Sequence, residues 1–481
     1  MNRNEHELQL EDRFLTRRQF LCRCGMGMGA LGLASLLDAA GLLSPSARAD
    51  AILSPLAPRL PPFPGTAKQV IHLFMSGGPS HVDTFDPKPA LATYAGKSLK
   101  EIDKSITRNG AAFPSPFKFE RHGQSGIEVS EVFPLLAEHV DEMTIIRSMQ
   151  TAIPSHEIAM LAMNTGESRF VRPSVGSWVT YGLGTENQNL PGFIALSPNG
   201  RPLLGDQNWQ SAFLPGAYQG TYVETRNTQV EKLIEYIRSS TTSLPEQRRQ
   251  LDLLHRLEEE HAKTRIEEGP MESRLQSFET AFRMQMAATD AFDISKEPAS
   301  IRALYGDTPQ GRQLLITRRL IERGVRFVQS WQSGWDHHNQ IEKNLRSSAK
   351  DCDQPIAALL TDLKQRGLLE ETLVLWGGEF GRTPTSDGNL NVDNSKGKGR
   401  DHNASGFSVW MAGGGVKGGY VHGATDQFGC AAVKDKVEIA DLHATILQVL
   451  GFDHKKLTYR NAGRDFRLTG TEGNVVNALL A

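Results

Sequence analysis

An α/β fold is predicted, a three-layer sandwich around a mostly parallel, doubly wound sheet, and three observations predict it. Six short apolar runs rich in β-branched and aromatic residues recur along the 481-residue chain. Amphipathic helical patterns separate many of them, and alternation of that kind calls for a parallel sheet covered on both faces. Glycine-rich segments carrying acids, histidines and arginines lie beside the runs, where α/β sheets present ligands at one edge.

The first 49 residues stand apart from the fold. TRRQFL at 16–21 reads as a twin-arginine export signal, GMGMGALGLASLL at 25–37 is the uncharged stretch, and Ala47-Arg48-Ala49 offers a small-residue cleavage site. The stretch is short and glycine-rich for a membrane anchor and is interrupted at Asp38. The expectation is passage through the twin-arginine export machinery to the periplasm or the exterior, with no stable membrane anchor after cleavage. Loss of 1–49 removes six basic and five acidic residues and leaves 47 basic and 50 acidic, a net charge of −3. That balance gives no electrostatic case for nucleic acid as a partner. Cys22 and Cys24 leave with the signal, so Cys352 and Cys430 remain, enough for one disulfide and too few for a disulfide framework.

Residues 50–65 are proline-rich and read as a linker, and 66–481 as one domain. Its strand candidates are 70–75 (VIHLFM), 143–147 (MTIIR), 193–196 (FIAL), 325–331 (VRFVQSW), 373–376 (LVLW) and 407–412 (FSVWMA). Helical patterns occupy 157–163, 311–322, 341–366 and 440–450. From about 229 to 291 the sequence turns charged and strand-poor, which predicts two or three inserted helices, a cap or an oligomerisation arm. The run Glu258-Glu259-Glu260 belongs there to a solvated face.

Four polar segments carry ligand chemistry: GGPSHVDTFD at 77–86, GWDHHN at 334–339, GEFGR at 378–382 and GRDHN at 399–403. Three follow strand candidates and the fourth precedes one, so in a parallel sheet they converge at one edge. Oxygen and imidazole donors from distant segments are what a divalent ion needs. Asp83, Asp336, His338, Glu379, Asp401 and His402 are the candidate ligands. Each has a plainer reading: Asp336 to His338 as a solvated turn, Glu379 as an ion-pair partner of Arg382, His81 as a cap on the first turn. For a nucleophile, Ser155 or Thr151 offers a hydroxyl that a metal or His156 can activate. Ser155 can equally cap the helix that follows.

With these residues in view the chain resembles the exported domain-of-unknown-function-1501 family, whose members look like distant relatives of the alkaline phosphatase and sulfatase superfamily. The resemblance rests on IHLFMSGGPSH at 71–81, GSWVTYGLG at 176–184, WDHH at 335–338, GGEFGRTP at 377–384, RDHN at 400–403 and DLHATI at 441–446. It implies a metal-dependent hydrolase of phosphate or sulfate esters, holding zinc, calcium or manganese and taking an anionic ester as substrate. Where the superfamily places an aspartate after the first strand this chain has Ser76-Gly77-Gly78, with Asp83 as the substitute a few residues on. Its Asp-His-Gly corresponds to Glu379-Phe380-Gly381, which keeps the acid and loses the histidine. His402 matches the late histidine ligand, and Asp336 with His338 lies near the earlier Asp/His pair. Arg382 is then the expected clamp on the anionic group, because a guanidinium fork suits phosphate or sulfate. The departures favour a competing reading, a non-catalytic binding or surface-assembly protein on a degenerate enzyme fold.

Overall fold

The computed structural model describes residues 55–106, 110–233, 241–262, 269–387 and 398–481. The export signal, its cleavage site and the first part of the linker lie outside the described residues. The rest of that linker is packed: Leu56 is buried in the core, its carbonyl accepts from Thr185 N at 2.9 Å, and Arg59 donates to the Tyr181 carbonyl at 2.5 Å. No helix among the described residues is long and apolar enough to cross a membrane.

Nine strands form the central sheet among the described residues. They are β1 (Gln69–Met75), β2 (Met143–Gln150), β3 (Phe193–Ser197), β4 (Thr221–Glu224), β5 (Phe327–Gln332), β6 (Thr372–Gly377), β7 (Phe407–Ala412), β8 (Tyr420–His422) and β9 (Val437–Glu438). The order is β8-β2-β7-β6-β1-β5-β3-β4, with β9 paired to the end of β2. Every pairing is parallel except those of β7, which runs antiparallel to both β2 and β6. All six strand candidates fall on sheet strands. The three that the sequence conceals, β4, β8 and β9, are short and lack a continuous buried run.

The period of two along β1 divides the interior into two cores. Ile71, Leu73 and Met75 face one with Leu314, Leu320, Leu345 and Leu359 of helices α3 (Pro309–Glu322) and α4 (Ile341–Gln365). Val70 and Phe74 face the other with Met160, Trp178 and Leu447 of helices α1 (His156–Thr165), α2 (Val175–Leu183) and α5 (Ile439–Val449). Here the labels α1 to α5 cover only the helices that flank the sheet. Helix, sheet and helix make the three layers, as predicted. α2 was not legible as a helix because seven of its nine residues are buried, which erases the polar face that gives a helix its period. Cys352 is buried within α4 and Cys430 is half-buried, and among the described residues no disulfide joins them.

The described residues fall into two compact units, Pro55–Arg238 with Glu279–Ala481 as one and Ser239–Phe278 within the other. The stretch expected to be helical holds Val230–Leu233, Leu244–Ala262 and Gly269–Phe292. Arg248 pairs with Asp252 one turn on at 2.7 Å, the exposed i,i+4 contact that a charged helix supports.

Candidate metal centre

The antiparallel course of β7 explains why residues before it join residues after the other strands. The carboxyl ends of β1, β2, β5 and β6 and the amino end of β7 share one edge. β1 runs into Gly77 and Gly78, both at positive φ, 119° and 75°. A Cβ on Gly77 would lie 2.5 Å from the Asp336 amide nitrogen, so only glycine lets the loop after β1 cross the loop after β5. β6 delivers Glu379, and Gly381–Arg382 pairs antiparallel with His402–Asn403, setting His402 opposite Arg382. β2 leads to Ser155 and to His156, the first residue of α1.

Three imidazoles converge on one carboxylate oxygen. Asp336 Oδ1 is 2.9 Å from His338 Nε2, 3.3 Å from His156 Nε2 and 3.5 Å from His402 Nε2. His338 Nε2 and His402 Nε2 are 3.0 Å apart, and the four donor atoms all lie within 4.8 Å of one another. A tetrahedral ion bonded at about 2.0–2.1 Å separates neighbouring donors by about 3.4 Å, so the spacing fits a small divalent ion. His156 Nε2 makes no hydrogen bond; its approach to Asp336 is an ion-pair contact.

The other nitrogen of each ring is held from behind. His156 Nδ1 meets Glu379 Oε1 at 2.5 Å, His338 Nδ1 meets Asp387 Oδ2 at 2.6 Å, and His402 Nδ1 meets the Pro154 carbonyl at 2.8 Å. An acceptor at Nδ1 keeps the proton there and turns the Nε2 lone pair inward, which is how metal-binding histidines are oriented. Glu379 is itself fixed, fully buried and accepting from Gly77 N at 2.9 Å. The Phe380 ring lies tilted against both His156 and His402, with centroids 4.7 and 4.8 Å away. The phenylalanine that replaces a metal-binding histidine in the resemblance is thus the apolar wall that positions two others.

Charge follows this geometry. Burial lowers the His156 pKa, but the carboxylates of Asp336 and Glu379 outweigh it and lift the ring to about 9. Burial works against the Asp336 carboxylate, yet His156, His338, His402 and Arg382 hold it well below the usual range. Donating a hydrogen bond to the Asp336 carboxylate raises the pKa of His338. The His156 imidazolium therefore supplies positive charge at the centre, and an ion must displace its Nε2 proton.

The predicted residues divide by where the structure puts them. Asp336, His338 and His402 meet, and Glu379 stands behind them through His156. Asp401 lies with His338 and Asp387 in an adjoining group whose donors are within 4.8 Å. Asp83 is not brought there: it is fully buried in a two-point ion pair with Arg400 (2.6 and 3.0 Å) and accepts from Ser80 Oγ at 2.5 Å. Arg382 is not available as an anion clamp either. Its buried guanidinium donates to the carbonyls of Gly77, Gly78 and Arg400 and to Asp336, which ties the strand ends together. His156 is not poised as a base for Ser155, since its two nitrogens face Glu379 and Asp336. The Ser155 hydroxyl donates to Glu157 at 3.0 Å and makes no capping bond, and the amide of Thr151 donates to the Ala404 carbonyl.

Two functional features escaped the sequence. His156 was read through its neighbour Ser155, although adjacent residues at a helix start point in different directions. Asp387 sits in a short polar stretch after GGEFGRTP with no periodicity; an acid shortly after a ligand-bearing loop was the one available signal.

No curated protein matches the sequence. Among solved structures the chain is similar to the lipoteichoic acid synthase LtaP from Listeria monocytogenes at 9% identity and TM-score 0.37, covering 86% of this chain and 79% of that one. It is similar to the alkaline phosphatase from the Antarctic bacterium TAB5 at 12% and 0.34, covering 81% and 99%, and to the PsFucS1 sulfatase from Pseudoalteromonas sp. at 12% and 0.33, covering 88% and 70%. With TM-scores this low, the chemistry of the centre rests on its own geometry. The model of the family described as protein of unknown function (DUF1501) matches residues 67–480, and the chain belongs to that family.

Proposed function

We propose that the protein is an exported, metal-dependent hydrolase of phosphate or sulfate esters. The observation that carries this reading is the set of three Nε2 atoms converging on Asp336 Oδ1, each ring braced at Nδ1. A divalent ion there would polarise an ester oxygen and lower the pKa of a bound water. The chain's own residues supply the rest. Glu379, Asp387 and the Pro154 carbonyl fix the ring orientations, Arg382 keeps the Asp336 carboxylate ionised, and Phe380 limits water on one side. The Asp336 side chain is 47% exposed, so substrate has access to the centre. Water is the nucleophile in this reading because the Ser155 hydroxyl is held by Glu157.

One observation favours the competing reading, a non-catalytic anion-binding or surface-assembly protein. Four protein donors complete a tetrahedron, as structural metal sites do. Elemental analysis of the purified protein, followed by assay on p-nitrophenyl phosphate and p-nitrophenyl sulfate, separates the two. About one equivalent of ion with turnover of either ester is expected. Ion without turnover supports the binder, and absence of any ion defeats the metal centre.

Export rests on TRRQFL at 16–21. Arg17→Lys with Arg18→Lys is expected to leave the uncleaved precursor in the cytoplasm. Normal trimming and export of that double variant, seen by cell fractionation, would remove the assignment.

A further inference from the structure

A second cavity, of about 200 Å³, opens where the carboxyl end of α1 meets the antiparallel hairpin Tyr459–Asn461 and Arg464–Phe466. Its lining includes Arg172, Arg464 and Arg467 together with Phe213 and Phe466. The Arg172 guanidinium lies over Phe466 at 4.7 Å, Phe170 at 5.4 Å and Phe213 at 6.0 Å, and Arg464 lies over Phe466 at 5.2 Å. Among the described residues no carboxylate comes within ion-pair distance of these three arginines. The acids in the lining are engaged: Glu167 accepts from the Ser168 and Arg169 amides at 2.8 and 2.9 Å, and Asp465 pairs with Arg460 at 3.2 Å.

Stacking covers the faces of a guanidinium and leaves its N–H edge for an oxyanion, which two parallel hydrogen bonds can grip. Arg172 and Arg464 pair such edges with aromatic plates, whereas Arg467 donates to the Gly470 carbonyl, and Phe170 stays 64% exposed beside the cavity. That combination suits an anionic ester on a ring with an apolar face. We propose that the cavity is a binding site for a sulfated or phosphorylated saccharide chain, separate from the metal centre. α1 begins at His156 in that centre and ends at Thr165 in the cavity wall, and nine steps of helical rise set the two about 14 Å apart. Nucleic acid fits less well: the chain's net charge is −2, and three arginines around one small cavity make no extended cationic track.

The test is equilibrium binding of the intact protein to dextran sulfate, neutral dextran, inorganic sulfate and a single-stranded oligothymidylate. Dextran sulfate is expected to bind, neutral dextran not to bind, and inorganic sulfate to bind at least about tenfold more weakly per sulfate. Arg172→Ala with Arg464→Ala should weaken dextran sulfate at least about tenfold. Arg172→Lys, which keeps the charge and the fold but not the fork, should weaken it measurably. Unchanged affinity in both variants overturns the site. Inorganic sulfate as tight as the polymer, or the oligonucleotide tighter, overturns the saccharide assignment. The measurement reads binding alone, so it stands whether or not the metal centre hydrolyses esters.

Discussion

Replacement of His402 by alanine is expected to take the bound ion below about a tenth of an equivalent and to lower kcat at least about 100-fold, while the protein stays folded. His402 supplies one of three converging Nε2 atoms, and its side chain is 21% exposed at the mouth of the centre. Its removal opens no large void, so the fold should lose little. Turnover should lose much, because a missing electrostatic stabiliser commonly lowers kcat by about 100-fold or more. Glu379→Gln probes the same centre from behind. The amide matches the carboxylate in shape and can still accept from Gly77 N, but it no longer matches the charge that holds the His156 Nδ1 proton. Loss of such an outer partner weakens ion binding by about 10–100-fold. Ser155→Ala is the discriminating control, because the Ser155 hydroxyl is bound to Glu157 and not to any ligand. Its kcat should stay within about twofold of wild type. If Ser155→Ala is as damaging as His402→Ala, the serine is the nucleophile and the water mechanism fails.

What the sequence disclosed follows from the range over which its signals act. Buried sheet strands leave continuous apolar runs, so β1, β2, β3, β5, β6 and β7 were legible, and the glycines that end β1 and β6 marked the ligand edge. The convergence of Asp336, His338 and His402 could be anticipated from topology alone, because strand order decides which loops meet. Partner choice within that edge could not. Asp83 and Arg400 are 317 positions apart, and nothing local announces that they pair. Arg382 looked like an anion clamp because a sequence does not show how many carbonyls will crowd a guanidinium. Phe380 looked like a lost ligand, yet it packs against the imidazoles of His156 and His402. The centre's chemistry was therefore visible as residue types, and the division between ligands and the groups that brace them was not.

The buried Asp83–Arg400 pair is expected to be the largest single-residue contribution to stability near the centre. Both side chains are fully buried, and Arg400 also donates to the carbonyls of Phe113 at 3.0 Å and Thr383 at 3.2 Å while lying 4.5 Å over the Phe113 ring. Its own carbonyl accepts from Arg382 at 3.2 Å, so the pair anchors the loop that carries His402. Asp83→Ala strands a buried guanidinium without its counter-charge, and breaking such a pair from one side costs about 3–5 kcal/mol. Asp83→Leu with Arg400→Met removes both charges and should recover part of that loss. Urea unfolding of the single and double variants, each with and without added ion, decides more than the size of the effect. A structural role for Asp83 predicts the same loss in ion-free and ion-loaded protein. A metal-ligand role predicts a loss confined to the ion-loaded form, and that outcome would return Asp83 to the ligand set from which the ion pair with Arg400 removes it.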